Sequence, residues 1–155
     1  MKNKELKHIL QAAIEKEKES YDFYMHLCDM VDDEGAKDTL RYLAGEEKKH
    51  RNFLKDYRKG RFGEQALRLT EVIDYEIAQY LEAPDIEKDS ESKEVYLVAA
   101  HREYNAHTFY KNLANIHPEG EARELLRKMA NEELKHKEKV EYLYANTAFP
   151  QTAGG

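Results

Sequence analysis

The sequence predicts an all-α domain, a four-helix bundle of two repeated helical hairpins joined by a long crossover that contains a short helix. Charged residues make up 36% of the 155 positions and apolar ones 41%, with only seven Gly and three Pro, a balance that suits long amphipathic helices over sheets. The helix-breaking residues gather at a few corners. One half of the chain also repeats in the other, residue by residue and without gaps.

Taken in order, the first helix is expected over residues 3–31, stopping at the acidic corner Asp32-Asp33-Glu34 that precedes Gly35. The second follows at once, over 34–58. Gly60, Gly63 and Pro84 bracket a connection over 59–91 that is too long for a turn. Within it Leu69, Val72, Ile73, Ile77 and Tyr80 form one apolar stripe, which predicts the short extra helix. A third long helix is expected over 92–116 and a fourth over 119–145, with Pro118 and Gly120 at the corner between them. Both short corners imply antiparallel pairs. The length suits one domain, assigned to 1–146, and 147–155, with Pro150, Gly154 and Gly155, reads as a flexible tail.

Sliding the sequence by 86 positions aligns residues 12–57 with 98–143. Ala13, Glu17, Phe23, Tyr24 and Leu27 fall on Ala99, Glu103, Phe109, Tyr110 and Leu113. Ala36, Leu40, Arg41 and Ala44 fall on Ala122, Leu126, Arg127 and Ala130. Glu46-Glu47-Lys48-Lys49-His50 falls on Glu132-Glu133-Leu134-Lys135-His136. Two copies of a hairpin make a pseudo-twofold bundle when a crossover runs its length. Leu and Ala recur in any bundle, so the repeated polar residues are the informative ones.

Each helix carries a seam of small and apolar residues spaced by three and four, the side that faces its partners. The first reads Leu6, Leu10, Ala13, Glu17, Ser20, Tyr24, Leu27, Val31, and the second Ala36, Leu40, Leu43, Glu47, His50, Leu54, Tyr57. The third reads Tyr96, Ala99, Glu103, Ala106, Tyr110, Leu113, and the fourth Ala122, Leu126, Met129, Glu133, His136, Val140, Leu143. Four glutamates and two histidines therefore interrupt otherwise apolar seams, whereas Glu15, Glu19 and Glu34 lie off them.

A bare carboxylate in a dry core costs at least several kcal/mol, and four together repel one another. Two divalent cations resolve both problems, since four Glu supply −4, neutral His adds nothing and two M²⁺ supply +4. Glu and His at i, i+3 project to the same side of a helix. Two such pairs plus a lone Glu from each remaining helix make a carboxylate-rich two-metal set, hard and borderline in character, which suits iron or manganese and also admits zinc. Solvated Glu-His neighbours on the helix surface are one alternative; a buried, metal-free Glu/His network is another, and it leaves lone pairs unsatisfied.

Other classes are disfavoured. No apolar run approaches the ~20 residues that span a bilayer, and a net charge of −6 offers no footprint for nucleic acid or anionic membranes. Cys28 is the only cysteine, so neither an internal disulfide nor a CxxC knuckle can form. Met1-Lys2-Asn3-Lys4-Glu5 leads directly into helical periodicity with no signal-peptide block, and cytoplasmic residence is expected.

The segments Ala13-Ile14-Glu15-Lys16-Glu17-Lys18-Glu19-Ser20-Tyr21-Asp22-Phe23-Tyr24 and Glu46-Glu47-Lys48-Lys49-His50 resemble the rubrerythrins of the ferritin-like di-iron carboxylate superfamily. The resemblance covers about 2–58 and 92–145. It implies a ferritin-like bundle with two iron ions per chain, held by Glu17, Glu47, His50, Glu103, Glu133 and His136. In the family Glu47 and Glu133 would bridge and Glu17 and Glu103 would be terminal. It implies reduction of hydrogen peroxide or oxygen, each iron giving one electron, and commonly a homodimer. Two departures stand out. The chain lacks the four-cysteine rubredoxin-like module of full-length rubrerythrins, so electrons are expected from a separate donor protein such as rubredoxin. Ala106 stands where typical rubrerythrins have a further ligand glutamate tied to peroxidase behaviour, and the symmetric set that remains is closer to bacterioferritin.

Tyr24 and Tyr110 lie seven residues beyond Glu17 and Glu103. Ferritin-like relatives use tyrosines at this spacing to bond a ligand carboxylate across the bundle, and the two are taken as candidate catalytic proton donors. Ordinary core tyrosine is the alternative. Glu46 and Glu132, four residues before His50 and His136, are placed either to accept a free imidazole N–H or to be solvated. His107 is a candidate extra ligand or a packing residue, and Cys28 reads as a small buried hydrophobe. Ferroxidase activity with iron storage or delivery, and a structural bundle merely stabilised by metal, are the other functional expectations.

Overall fold

The computed structural model describes residues 2–59 and 72–148, with side chains from Leu6 onward. Four long helices and one short one account for the secondary structure of the described residues: α1 (Lys2–Met30), α2 (Glu34–Arg58), α3 (Ile77–Tyr80), α4 (Ser92–Asn115) and α5 (Glu121–Ala148). The long helices match the expected spans to within three residues at every end, and α5 runs on into the segment expected to be tail. Leu69, Gly60, Gly63, Pro150, Gly154 and Gly155 lie outside the described residues.

α1 packs against α2 and α4 against α5, so each half is an antiparallel hairpin. The first corner is tight because Asp33, in extended conformation, caps α2 by accepting the Ala36 N–H at 2.8 Å. The second holds Gly120 at φ +155°, a backbone conformation that disfavours any side chain.

The apolar interior is divided. At one end Leu27, Val31, Leu40, Leu43, Val95 and Val140 pack together, and at the other Ile9, Leu10, Leu54, Leu125, Leu126 and Met129 do so. The seam glutamates and histidines occupy the level between these two cores. Dry packing above and below thus isolates them from solvent along the bundle axis.

The short helix expected in the crossover is present as α3, but it covers only part of the apolar stripe. Residues 72–76 are not helical, and α3 is a single turn. Ile73 and Tyr80, both placed on the apolar stripe, are exposed at 62% and 79%. Polar anchors on α5 supplement the apolar docking of Ala78, which is buried in the core. Glu138 accepts the Ile73 N–H at 2.9 Å and Glu141 the Ala78 N–H at 2.7 Å. Lys137, fully buried, pairs with both Asp74 and Glu141. Val72 through Tyr80 are therefore held by hydrogen bonds and charge together with buried Ala78, and only the last four of these residues are helical.

Candidate metal centre

All six residues singled out on the seams are buried: Glu17, Glu47, Glu103 and Glu133 are each 1% exposed, and His50 and His136 5%. Helical spacing delivers them. Glu47 and His50 leave the same face of α2, Glu133 and His136 the same face of α5, while α1 and α4 contribute Glu17 and Glu103.

They gather into two overlapping groups, Glu17, Glu47, His50 and Glu133 in one and Glu47, Glu103, Glu133 and His136 in the other. Within each group one ligand atom per residue lies within 4.8 Å of all the rest. Glu47 and Glu133 belong to both. His50 turns Nδ1 inward, 3.5 Å from Glu133 Oε1 and 3.8 Å from Glu17 Oε1. His136 does the same, with Nδ1 at 3.2 Å from Glu47 Oε1 and 3.6 Å from Glu103 Oε2. The two rings stack with centroids 5.3 Å apart and planes 12° from parallel.

The two tyrosines complete a pseudo-twofold pattern. Tyr24 of α1 donates to Glu103 Oε1 of α4 at 2.9 Å, and Tyr110 of α4 donates to Glu17 Oε1 of α1 at 2.8 Å. Burial, reinforced by the neighbouring carboxylates, pushes both hydroxyls well above the usual tyrosine range, so each stays a donor. Each fixes one oxygen of its glutamate and leaves the other facing inward.

Those inward atoms are the test of fit. Glu17 Oε2, Glu103 Oε2, both oxygens of Glu133 and His50 Nδ1 are buried with no hydrogen-bond partner. Leaving so many polar atoms unpaired in a dry interior is costly. The strain shows in the titration of the cluster. Burial, then the charges of Glu133, Glu17 and Glu103, hold Glu47 well above the carboxylate range. Burial and Glu133 push Glu103 up to about 8. Burial also opposes the charged form of each imidazole, yet the surrounding carboxylates prevail and raise His50 and His136. For Glu17, burial is outweighed by the neighbouring Glu47 and His50, and its carboxyl is lowered. Four carboxylates and two imidazoles converging with their lone pairs inward are a donor set that divalent cations satisfy.

The remaining sequence candidates separate clearly. Glu132 does approach an imidazole, but it is His50 on the opposite hairpin, at 3.6 Å from Nε2, instead of His136 on its own helix. Glu46 pairs with Lys49. His107 is half-buried with Nδ1 bonded to the Ala130 carbonyl at 2.8 Å, outside both groups. Ala106 is buried and adds no ligand atom. Cys28 packs in the core. The Lys137–Asp74–Glu141 cluster escaped the sequence reading altogether. Its one signal was a break in the repeat, because Glu141 falls on Lys55 and so reverses its charge.

The rubrerythrin family model matches residues 1–58, which is the α1–α2 hairpin with Glu17, Glu47 and His50. No curated protein and no solved structure matches the chain. The second hairpin carries the same three residue types 86 positions on, at the equivalent places in the bundle. No helix among the described residues is long and apolar enough to cross a membrane.

Proposed function

We propose, from a rubrerythrin-like first hairpin and a second that duplicates its polar residues, that the chain is a di-iron oxidoreductase reducing hydrogen peroxide or oxygen. The observation that carries this reading is the pair of overlapping four-residue groups sharing Glu47 and Glu133. Glu17 and His50 would hold one iron and Glu103 and His136 the other, with Glu47 and Glu133 serving both. When bound, two ferrous ions supply the two electrons that, with two protons, take one peroxide to two waters.

The chain's own residues set the conditions for that chemistry. The two apolar cores exclude water from the level of the cluster. Tyr24 and Tyr110 hold Glu103 and Glu17 in orientation, and each keeps a phenolic proton beside the centre. Electrons come from a separate carrier of the rubredoxin kind, and the protein works as a homodimer in the cytoplasm; resemblance to the rubrerythrins supports these parts of the reading. Ala106, which offers no further ligand, favours a second reading in which Fe²⁺ itself is the substrate of a ferroxidase. A self-assembled cage in solution is the result expected of that reading, and a dimer that consumes peroxide is the result expected of the first.

The test is elemental analysis of protein from iron-supplemented cells beside a Glu47→Ala/Glu133→Ala variant. About two irons per chain in the wild type and none in the variant are expected, followed by peroxide-driven oxidation in stopped flow. Wild-type protein that stays folded and takes up no Fe²⁺ would end the di-iron reading.

A further inference from the structure

His50 presents two different edges. Nδ1 faces the carboxylate cluster, while Nε2 faces outward to Glu132 Oε2 at 3.6 Å. Glu132 is itself held, because Oε1 accepts from Lys135 Nζ at 3.1 Å and its side chain is only 14% exposed. A neutral imidazole carries one N–H, and a carboxylate at Nε2 keeps it there, leaving the Nδ1 lone pair to point inward.

Perfect repetition would give His136 the same support from Glu46, the counterpart of Glu132 at the 86-residue offset. The structure does not. Every ion pair of His136 among the described residues runs inward from Nδ1, to Glu47, Glu103 and Glu133. Glu46 reaches Lys49 at 4.0 Å, a lysine 77% exposed, and lies beside Tyr42. Glu132 also comes within 4.8 Å of a His136 ring nitrogen, but no ion pair joins them. The molecule is symmetric in its inward-facing residues and asymmetric just outside them.

We propose that Glu132 is a positioning residue for His50, and that it makes the two metal positions unequal, the one beside His50 filling first and holding tighter. This rests on the two-metal reading of the centre. Once His50 gives up a proton to the incoming cation, Glu132 keeps the remaining N–H on Nε2 and the freed lone pair points inward, whereas His136 must select its tautomer as it binds. The same carboxylate withdraws positive charge from the imidazole N–H, which makes Nδ1 the better donor.

Titration of the full chain with Co²⁺ alone, followed by its visible spectrum, tests this. Wild type should fill in two resolved steps. Glu132→Ala should weaken the first about 10–100-fold and leave the second unchanged, Glu132→Gln should fall between, and Glu46→Ala should alter neither. In Zn²⁺-loaded protein, ¹⁵N-resolved exchange should show a protected Nε2–H on His50 that Glu132→Ala exposes, a signature that a general loss of stability would not confine to one ring. Two indistinguishable steps in the wild type, or a first step unmoved in both Glu132 variants, overturns the inference. A wild type that binds no Co²⁺ overturns the two-metal reading, and this with it.

Discussion

Metal binding at the proposed centre should expel protons. In the metal-free protein burial and the neighbouring carboxylates hold Glu47 well above the carboxylate range, and Glu103 sits at about 8, so at pH 7 Glu103 is largely protonated. His50 and His136 are raised as well, by carboxylates that overcome the opposing effect of burial. Glu17 is lowered and already ionised. Ligation requires bare carboxylates and neutral imidazoles. Two equivalents of Zn²⁺ at pH 7 should therefore release at least about one proton, from Glu103, and up to about four if Glu47 and both imidazoles also count. Calorimetry in two buffers of different ionisation enthalpy measures the number directly. The release should shrink as pH rises past about 8, where Glu103 loses its proton unaided. Stoichiometric Zn²⁺ binding with fewer than one proton released at pH 7 would show that the cluster is not the coupled, proton-loaded set described above.

The same shifts fix the sign of the pH dependence of stability. A group whose folded pKa is raised stabilises the fold fully below its unfolded pKa and loses that contribution as pH climbs through the folded value. Glu47, Glu103, His50 and His136 all act in this direction, so the melting temperature of metal-free protein should fall from pH 5 to pH 9, while Zn²⁺-loaded protein, whose ligands bind no protons, should gain stability up to about pH 7 and then hold level. A metal-free protein that gains stability over that range contradicts the assignment. Tyr24→Phe removes the donor from Glu103 Oε1 and should cost about 1–3 kcal/mol by chemical denaturation, the range for orphaning a buried acceptor. Gly45→Ala should stabilise by about 1 kcal/mol, because Gly45 sits inside α2 and an added Cβ meets nothing within 4 Å; a drop in melting temperature would reveal a constraint the packing does not show. Lys137→Met strands Glu141, which is fully buried, and should cost about 3–5 kcal/mol, with much of it recovered in Lys137→Met/Glu141→Leu.

The long helices and the cluster were legible in the sequence because one rule places both. A period of three and four puts every seam position on the inner face, so Glu17, Glu47, His50, Glu103, Glu133 and His136 had to be buried if the helices packed at all. Their duplication removed the ambiguity a single Glu-x-x-His leaves. Tyr24 and Tyr110 could be placed on the seam, but their partners required knowing that α1 faces α4 across the bundle.

What the periodicity could not supply lies where contacts depend on how separate segments dock. Spacing along one helix offers Glu132 only His136 or solvent; its actual partner, His50, is brought to it by the packing of α2 against the second hairpin. Apolar spacing marks Val72 to Tyr80 as an amphipathic stripe, but only Ile77–Tyr80 is helical. The segment is held, together with buried Ala78, by Lys137, Glu138 and Glu141, which accept its backbone N–H groups or pair with Asp74. Lys137 is buried because the crossover lies on it, and the crossover lies there because Lys137, next in sequence to His136, offers the charge. The repeat thus predicts well what the two hairpins do alike. It predicts poorly the places where they differ, and those are where Glu132 distinguishes one imidazole from the other and where one hairpin alone anchors the crossover.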